Sequence, residues 1–119
     1  MSYVDGYVVP VPKTRVDDYR RIARKAGRVW HEHGALQYME CVADDVKPGK
    51  WTSFPQSVKL KKNETVVFAF IVYKSRAHRD RINARVFKDP RMNAMGDIKD
   101  MPFDAKRMFW GGFKTIVSA

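Results

Sequence analysis

The sequence predicts an α+β fold: a ferredoxin-like βαββαβ chain whose antiparallel four-stranded sheet carries two helices on one face. Two stretches repeat apolar residues at helical spacing, and four short runs rich in Val, Tyr and Phe read as strands. Their order, strand, helix, two strands, helix, strand, is the third observation. A length of 119 residues without linker, repeat or low-complexity tract suits one domain over 1–119.

Tyr3 to Pro12 is rich in Val and Tyr and ends in Pro10 and Pro12, which cannot keep donating to a ladder, so it reads as strand one. Thr14 offers a helix cap, Asp17 and Asp18 suit a first turn, and Val16, Tyr19, Ile22, Ala23, Ala26, Val29, Trp30 and His33 recur at helical spacing. Gly34 stands where a left-handed residue ends that helix. Ala35 to Ala43 alternates as a second strand. A connection of about twenty residues follows, long enough to predict a short helix or a function of its own. Thr65 to Tyr73 is the third strand. Ser75 caps a second helix that Asp89-Pro90 ends near Lys88, and a last strand runs from Arg107 to about Val117. Right-handed crossovers place strands one and three in the middle of the sheet.

Composition excludes several classes. At 45% hydrophobic and 13% aromatic residues the chain can bury a core, unlike a disordered one. It has no run of eighteen apolar residues and no basic-then-apolar start, so neither membrane span nor export signal is expected. A single cysteine, Cys41, closes no intrachain disulfide and fits a cytoplasmic protein. The 23 basic and 13 acidic residues leave a net charge of +10. The excess lies in three segments: 15–34 holds six basic against three acidic residues, 47–62 five against none, and 74–91 seven against two.

Two helices cover one face of such a sheet, yet the strands are apolar on both sides. Assigning the small and β-branched Gly6, Val8, Val67, Ala69 and Ile71 to the helix side leaves Tyr3, Asp5, Tyr7, Tyr38, Glu40, Phe68, Phe70 and Phe109 on the open face. Aromatics bury about 150–250 Å² each, so this face exceeds the apolar patch that soluble monomers show. A second copy packed sheet to sheet would cover it and enclose a chamber. The other candidate cover is RNA. Val66 to Tyr73 fits the second half of the aromatic motif of RNA-recognition modules, but Val66 and Val67 stand where its basic residue and glycine belong, and Asp5 would repel phosphates.

Tyr3-Val4-Asp5-Gly6, Val29-Trp30-His31-Glu32-His33-Gly34-Ala35-Leu36, Glu40 through Lys50, Tyr73 through Arg81, Met101-Pro102-Phe103-Asp104 and Arg107-Met108 together resemble the YbaA-like bacterial proteins of unassigned function. The resemblance spans nearly the whole chain. It implies membership of the dimeric α+β barrel superfamily, which includes small monooxygenases and haem-handling proteins, and it carries over no catalytic residues.

Asp5 and Glu40 are the candidate catalytic carboxylates, out of place on a face predicted to be buried. With strand three between them they would stand about 9–10 Å apart, wide enough to flank a small ligand. The plainer role is an ion pair or hydrogen bond to an Arg or Tyr at the dimer seam. Tyr3, Tyr7, Tyr38, Phe68, Phe70 and Phe109 would line the chamber, with Trp51 of the long loop as its lid or merely as a staple for that loop. His31 and His33 diverge by about 200° on a helix and cannot chelate one ion, so no metal is expected, and no cofactor is implied. His33 shares a face with Trp30, His31 points outward, and His78 reads as a helix-surface residue. Gly49-Lys50 lacks the rest of a phosphate loop, and Cys41 reads as packing. The expectation is a cytoplasmic homodimer that binds a small molecule, the residues leaving open whether it is also transformed. The alternative is a sequence-tolerant nucleic-acid binder.

Overall fold

The computed structural model describes Met1–Ala119. Strand β1 (Tyr3–Pro12) leads through a 3-10 turn (Lys13–Arg15) into helix α1 (Val16–Glu32). Strand β2 (Gln37–Val42), a single helical turn α2 (Phe54–Ser57) and strand β3 (Glu64–Tyr73) follow. Helix α3 (Arg76–Lys88), a second single turn α4 (Pro90–Asn93), a 3-10 turn (Ile98–Asp100) and strand β4 (Phe109–Lys114) complete the chain. The sheet is antiparallel throughout, in the order β2-β3-β1-β4, with β1 and β3 central as expected.

The helix boundaries follow the local chemistry. Gly34 adopts φ +114, its N–H bonds to His31 O, and the Ala35 N–H reaches back to Trp30 O at 3.0 Å, the paired bonds that close a helix through a left-handed residue. The Ser75 hydroxyl accepts from the His78 N–H at 3.1 Å, and Asp89-Pro90 ends α3 and begins α4. Thr14 does not cap α1. The chain enters that helix through the 3-10 turn, so Thr14 is already inside helical backbone, and the position before Val16 is Arg15, which makes no capping bond. Strands two and four are shorter than expected, although single backbone bonds continue past their ends, from Leu36 N–H to Val72 O, Ala43 N–H to Val66 O and Thr115 N–H to Ser2 O. Pairing of β1 with β4 stops at Val8, so Pro10 and Pro12 occupy a stretch of β1 that has no neighbour on that side.

The registers decide which face each side chain takes. Asp5 lies opposite Ile71, Tyr7 opposite Ala69 and Val9 opposite Val67, while Tyr38 and Glu40 oppose Ile71 and Ala69 from the other side. Directly paired residues share a face. Tyr3, Tyr73, Ile71, Val29, Trp30, Ile82 and Val86 form one core cluster, and Val9, Val11, Val67 and Ala69 form another. The helices α1 and α3 therefore cover the face that carries Tyr3, Asp5, Tyr7, Tyr38 and Glu40. Each aliphatic side chain fully buried there contributes about 1.5–3 kcal/mol.

This corrects the expected parity of strands one and two. Strand three is placed as expected, with Val67, Ala69 and Ile71 toward the helices and Phe68 and Phe70 away. Gly6 and Val8 instead face away from the helices. Gly6 pairs with Gly111 across the ladder, and the Phe113 ring lies 3.6–4.0 Å from where their β-carbons would be, so this glycine pair makes the shelf on which an open-face aromatic lies. Sorting by size sent Gly6 to the wrong side because its small volume accommodates Phe113 rather than a helix.

The open face is only partly covered. The connection from Ala43 to Asn63 folds over one end, where Val58 packs on Val8 and Val66 and Phe54 meets Phe68 with ring centroids 6.0 Å apart. Beyond it Met39, Phe68, Phe109 and Phe113 remain exposed, Phe113 at 64%.

Candidate functional site

The face beneath the helices holds two carboxylates whose surroundings differ in kind. Asp5 is fully buried, and the Arg79 Nε of α3 donates to its Oδ1 at 3.1 Å, while its Oδ2 has no hydrogen-bond partner. The guanidinium lies 5.1 Å from the Tyr3 ring centroid and 5.9 Å from that of Trp110. It fits because position 112 is glycine: a β-carbon there would stand 2.3 Å from the guanidinium and 2.4 Å from the Tyr3 hydroxyl. Asp5 thus belongs to an intrachain ion pair, the plainer of its two expected roles, set beneath α3 rather than at a seam between copies.

Glu40 is held by phenols instead. The Tyr19 hydroxyl of α1 donates to Glu40 Oε1 and the Tyr38 hydroxyl of β2 donates to Oε2, both at 2.5 Å. No cation pairs with this carboxyl group. Removal from water pushes its pKa above the usual 4.5, and the two donated bonds oppose that rise without cancelling it. Burial raises both phenols as well, with the Glu40 charge adding to the effect, so Tyr19 and Tyr38 stay protonated donors. Tyr7, stacked on Trp110 at 5.9 Å, is raised by burial and then by Asp5.

Empty space meets this triad from two sides. An open groove of about 440 Å³ runs between α1 and the β2 edge, past Val16, Arg20, Ala23, Arg24, Gly27, His31, Val42 and Val67. A smaller, more enclosed cavity of about 110 Å³ lies deeper, among Tyr7, Val9, Trp30, Ala69, Ile71, Phe103 and Met108. Tyr19, Tyr38 and Glu40 line both, so they form the partition between groove and cavity. Gly27 lets the partition close, for the Tyr38 ring occupies the space a β-carbon would take.

Chemically, a carboxyl group with a raised pKa and two protonated phenols can accept a proton, return it, or orient a polar atom that enters from the groove. No group of three His, Cys, Asp or Glu side chains is placed to hold a metal ion.

Of the residues expected from sequence, the structure brings Glu40, Tyr38 and Tyr7 to this site and sets Tyr3 and Asp5 beside it under α3. Phe68, Phe70 and Phe109 lie on the opposite face of the sheet. Trp51 is 85% exposed, touched by the Lys50 ammonium at 5.0 Å, and neither closes a cavity nor staples the loop, a task that falls to Phe54. Its two neighbours in a polar, lysine-rich loop give it nothing to pack against. Cys41 is exposed on the open face rather than packed. His33 caps α1 and its Nε2 lies 2.8 Å from Asp89 Oδ2, His31 is exposed as expected, and His78 Nδ1 accepts from the Lys74 N–H. Sequence reasoning missed Tyr19, Arg20 and Arg24. Tyr19 carries a signal in retrospect, since a phenol within the apolar stripe of a helix needs a buried partner. Gly27 is another, because a mid-helix glycine costs about 1 kcal/mol and so points to something that must approach closely there.

Fold and site together define a small α+β protein with a phenol-clamped carboxyl group between a groove and a cavity. The chain belongs to the family described as protein of unknown function (DUF1428), whose profile matches residues 2–105. It is 49% identical over 117 residues, 98% of either chain, to "Uncharacterized protein YbaA" of Escherichia coli strain K12, and equally similar to YbaA of Shigella flexneri. Among solved structures it resembles the "De novo designed protein Foldit4" at a TM-score of 0.51 and 10% identity, over 97% of this chain and 99% of that one, a likeness of fold alone. No helix is long and apolar enough to cross a membrane.

Proposed function

We propose that this protein binds a small molecule in the groove and cavity beneath α1 and that Glu40 exchanges a proton with it or anchors it. The observation that carries the reading is a desolvated carboxyl group without a cationic partner, facing about 440 Å³ of accessible space. Binding sites usually span about 300–1,000 Å³ and combine apolar walls with few polar groups, a description that suits this one. Structural ion pairs also perturb carboxylates, but Glu40 has only neutral donors, so the plainer role assigned to Asp5 does not extend to it.

The working unit in this reading is a homodimer joined through the open face. Two chains of charge +10 repel each other, and that repulsion is least where the surfaces brought together carry no charged side chains. The uncovered area, from Val4 and Met39 through Phe68 and Phe70 to Phe109 and Phe113, carries no Lys, Arg, Asp or Glu, whereas the helices are basic. The expected inter-sheet chamber would thus be an apolar contact, and the ligand site lies within each subunit. Nucleic-acid binding draws less support, since Phe68 and Phe70 lie on one side of the sheet and the arginines of α1 and α3 on the other.

The test is a fragment screen by protein-observed NMR on the parent and Glu40→Gln, with sedimentation velocity on both. Fragments that shift Tyr38 and Gly27 resonances and lose tenfold or more affinity in Glu40→Gln, with sedimentation unchanged, support the reading. Fragments that bind Glu40→Gln equally well overturn Glu40's role, and a monomer at micromolar concentration overturns the dimer. RNA binding at physiological salt that Phe68→Ala and Phe70→Ala weaken would favour the nucleic-acid alternative.

A further inference from the structure

We infer that the ligand of this groove is an organic anion with an apolar body, its anionic head held by Arg20 and Arg24 at the groove mouth. The inference rests on the small-molecule reading above and specifies what that molecule is.

Arg20, Arg24, Gly27 and His31 follow one another at intervals of four, three and four residues, which places them along a single stripe of α1. That stripe is the wall of the groove. Side chains four apart on a helix stand about 5–6 Å from each other, so Arg20 and Arg24 can grip one anion together. Like charges at that spacing destabilise a helix when nothing bridges them. The pair is also unevenly compensated. Arg20 leans on Asp17 near the start of α1, but Arg24 makes no ion pair at all.

The remainder of the groove shows what the anion must carry. Val16, Ala23, Val42 and Val67 supply an apolar wall. The sole acidic lining residue is Glu40, at the inner end. A small inorganic anion would leave the apolar wall wet, and a neutral apolar molecule would leave Arg24 unanswered. A molecule with its charge at the arginines and its body along the valines satisfies both. Its far end then meets the Glu40, Tyr19 and Tyr38 hydrogen-bonding groups and keeps its own charge away from the carboxylate. Guanidinium groups match carboxylates and phosphate monoesters alike through paired N–H donors, so the shared requirement is a planar or trigonal array of anionic oxygens.

The experiment compares 6-hydroxy-2-naphthoate with 6-hydroxy-2-naphthamide, which share shape and a hydroxyl for the Glu40 end and differ in charge, and adds 6-hydroxy-2-naphthyl phosphate to separate the two head groups. Isothermal titration on the full-length parent, Arg24→Gln, Arg20→Gln/Arg24→Gln and Glu40→Gln reads affinity. Expected are binding of at least one anion, tenfold or more weaker binding of the amide, a similar loss in the double variant, and weakening with added NaCl. Arg20 and Arg24 are exposed, so their substitution should leave the fold intact, and the salt titration on the parent reads the charge without any variant. Equal affinity for acid and amide with dependence on Glu40 overturns the anion and leaves the site standing. Anion binding unaffected by the double variant places the ligand elsewhere and overturns the inference. No binding of any probe up to millimolar concentration overturns it too, and absence of Glu40 dependence in every titration removes the underlying reading with it.

Discussion

Gly27 of α1 and Tyr38 of β2 touch so closely that a β-carbon at position 27 would lie 2.7 Å from the phenol ring. The contact sets how deep Tyr38 sits and so aims its hydroxyl at Glu40. Gly27→Ala gains about 1 kcal/mol of helix propensity but must displace a packed aromatic ring, and overpacking of that sort costs about 1–3 kcal/mol. The expected net result is a loss of about 1 kcal/mol in urea unfolding, with the Tyr38 resonances shifted. A neutral or stabilised variant would show that α1 moves off the sheet freely.

Glu40 predicts an unusual pH dependence. Its pKa in the folded protein lies above the usual 4.5, chiefly through desolvation, so the folded state holds this proton more tightly than the unfolded one. The resulting stability is complete below about pH 4.5 and is lost as pH rises through the raised folded value. Glu40→Gln keeps one acceptor for a phenol and stays neutral. Thermal unfolding of parent and variant should show the variant gaining on the parent from pH 4 to pH 8. A difference independent of pH would mean that the carboxyl group titrates normally.

How much of this was legible from sequence depends on what decided each feature. The element order, the central strands and the helix ends at Gly34, Ser75 and Asp89-Pro90 are set by local chemistry and could be read directly. Strand three could be placed on the right face because Val67, Ala69 and Ile71 alternate with bulkier Phe68 and Phe70. Strand one could not, because its parity is decided by distant residues. Arg79 reaches Asp5 from α3 over the gap left by Gly112, and Phe113 occupies the shelf of Gly6 and Gly111. Glu40 was recognisable as an out-of-place carboxylate, but its partner Tyr19 lies 21 residues earlier on another element, joined only by the fold.

Asp5 and Arg79 form a pair whose halves are unequal. Asp5 is fully buried and the Arg79 side chain is 15% exposed, so removing the arginine leaves a buried charge without compensation. Losing one partner of such a pair costs about 3–5 kcal/mol. Arg79→Met should therefore destabilise by about 3 kcal/mol, and adding Asp5→Asn should recover much of that, because an amide is easier to bury than a carboxylate. Urea unfolding of the four proteins closes the cycle. Additive losses would mean that the two side chains do not interact.

Glu64 and Arg107 predict the behaviour at acid pH. Arg107 Nη2 lies 2.6 Å from Glu64 Oε2, Nη1 lies 2.8 Å from Oε1, and Nη1 also donates to the carbonyls of Val58 and Lys59. One guanidinium thus joins the segment before β4 to the end of the long connection, where Lys59 takes a left-handed φ of 49. Hydrogen bonding to Arg107 holds the Glu64 carboxyl below its usual 4.5, so the folded state binds that proton less readily than the unfolded one. Its stabilisation is present in full above about pH 4.5 and disappears as pH falls through the lowered folded value. Arg107→Ala leaves the buried Glu64 carboxylate without its cation, only the Lys61 N–H still donating to it, and should cost about 3 kcal/mol at pH 7. The gap from the parent should narrow on acidification as Glu64 and Asp104, whose carboxyl the same guanidinium holds down, take up their protons. Because the same substitution frees two carbonyls around Lys59, trypsin should cut near Lys59, Lys61 and Lys62 faster in the variant under native conditions. If the gap stayed constant from pH 7 to pH 3, the pairing with Glu64 would not be what Arg107 contributes. If cleavage were unchanged, the connection would be held by Val58 and Phe54 packing on the sheet alone.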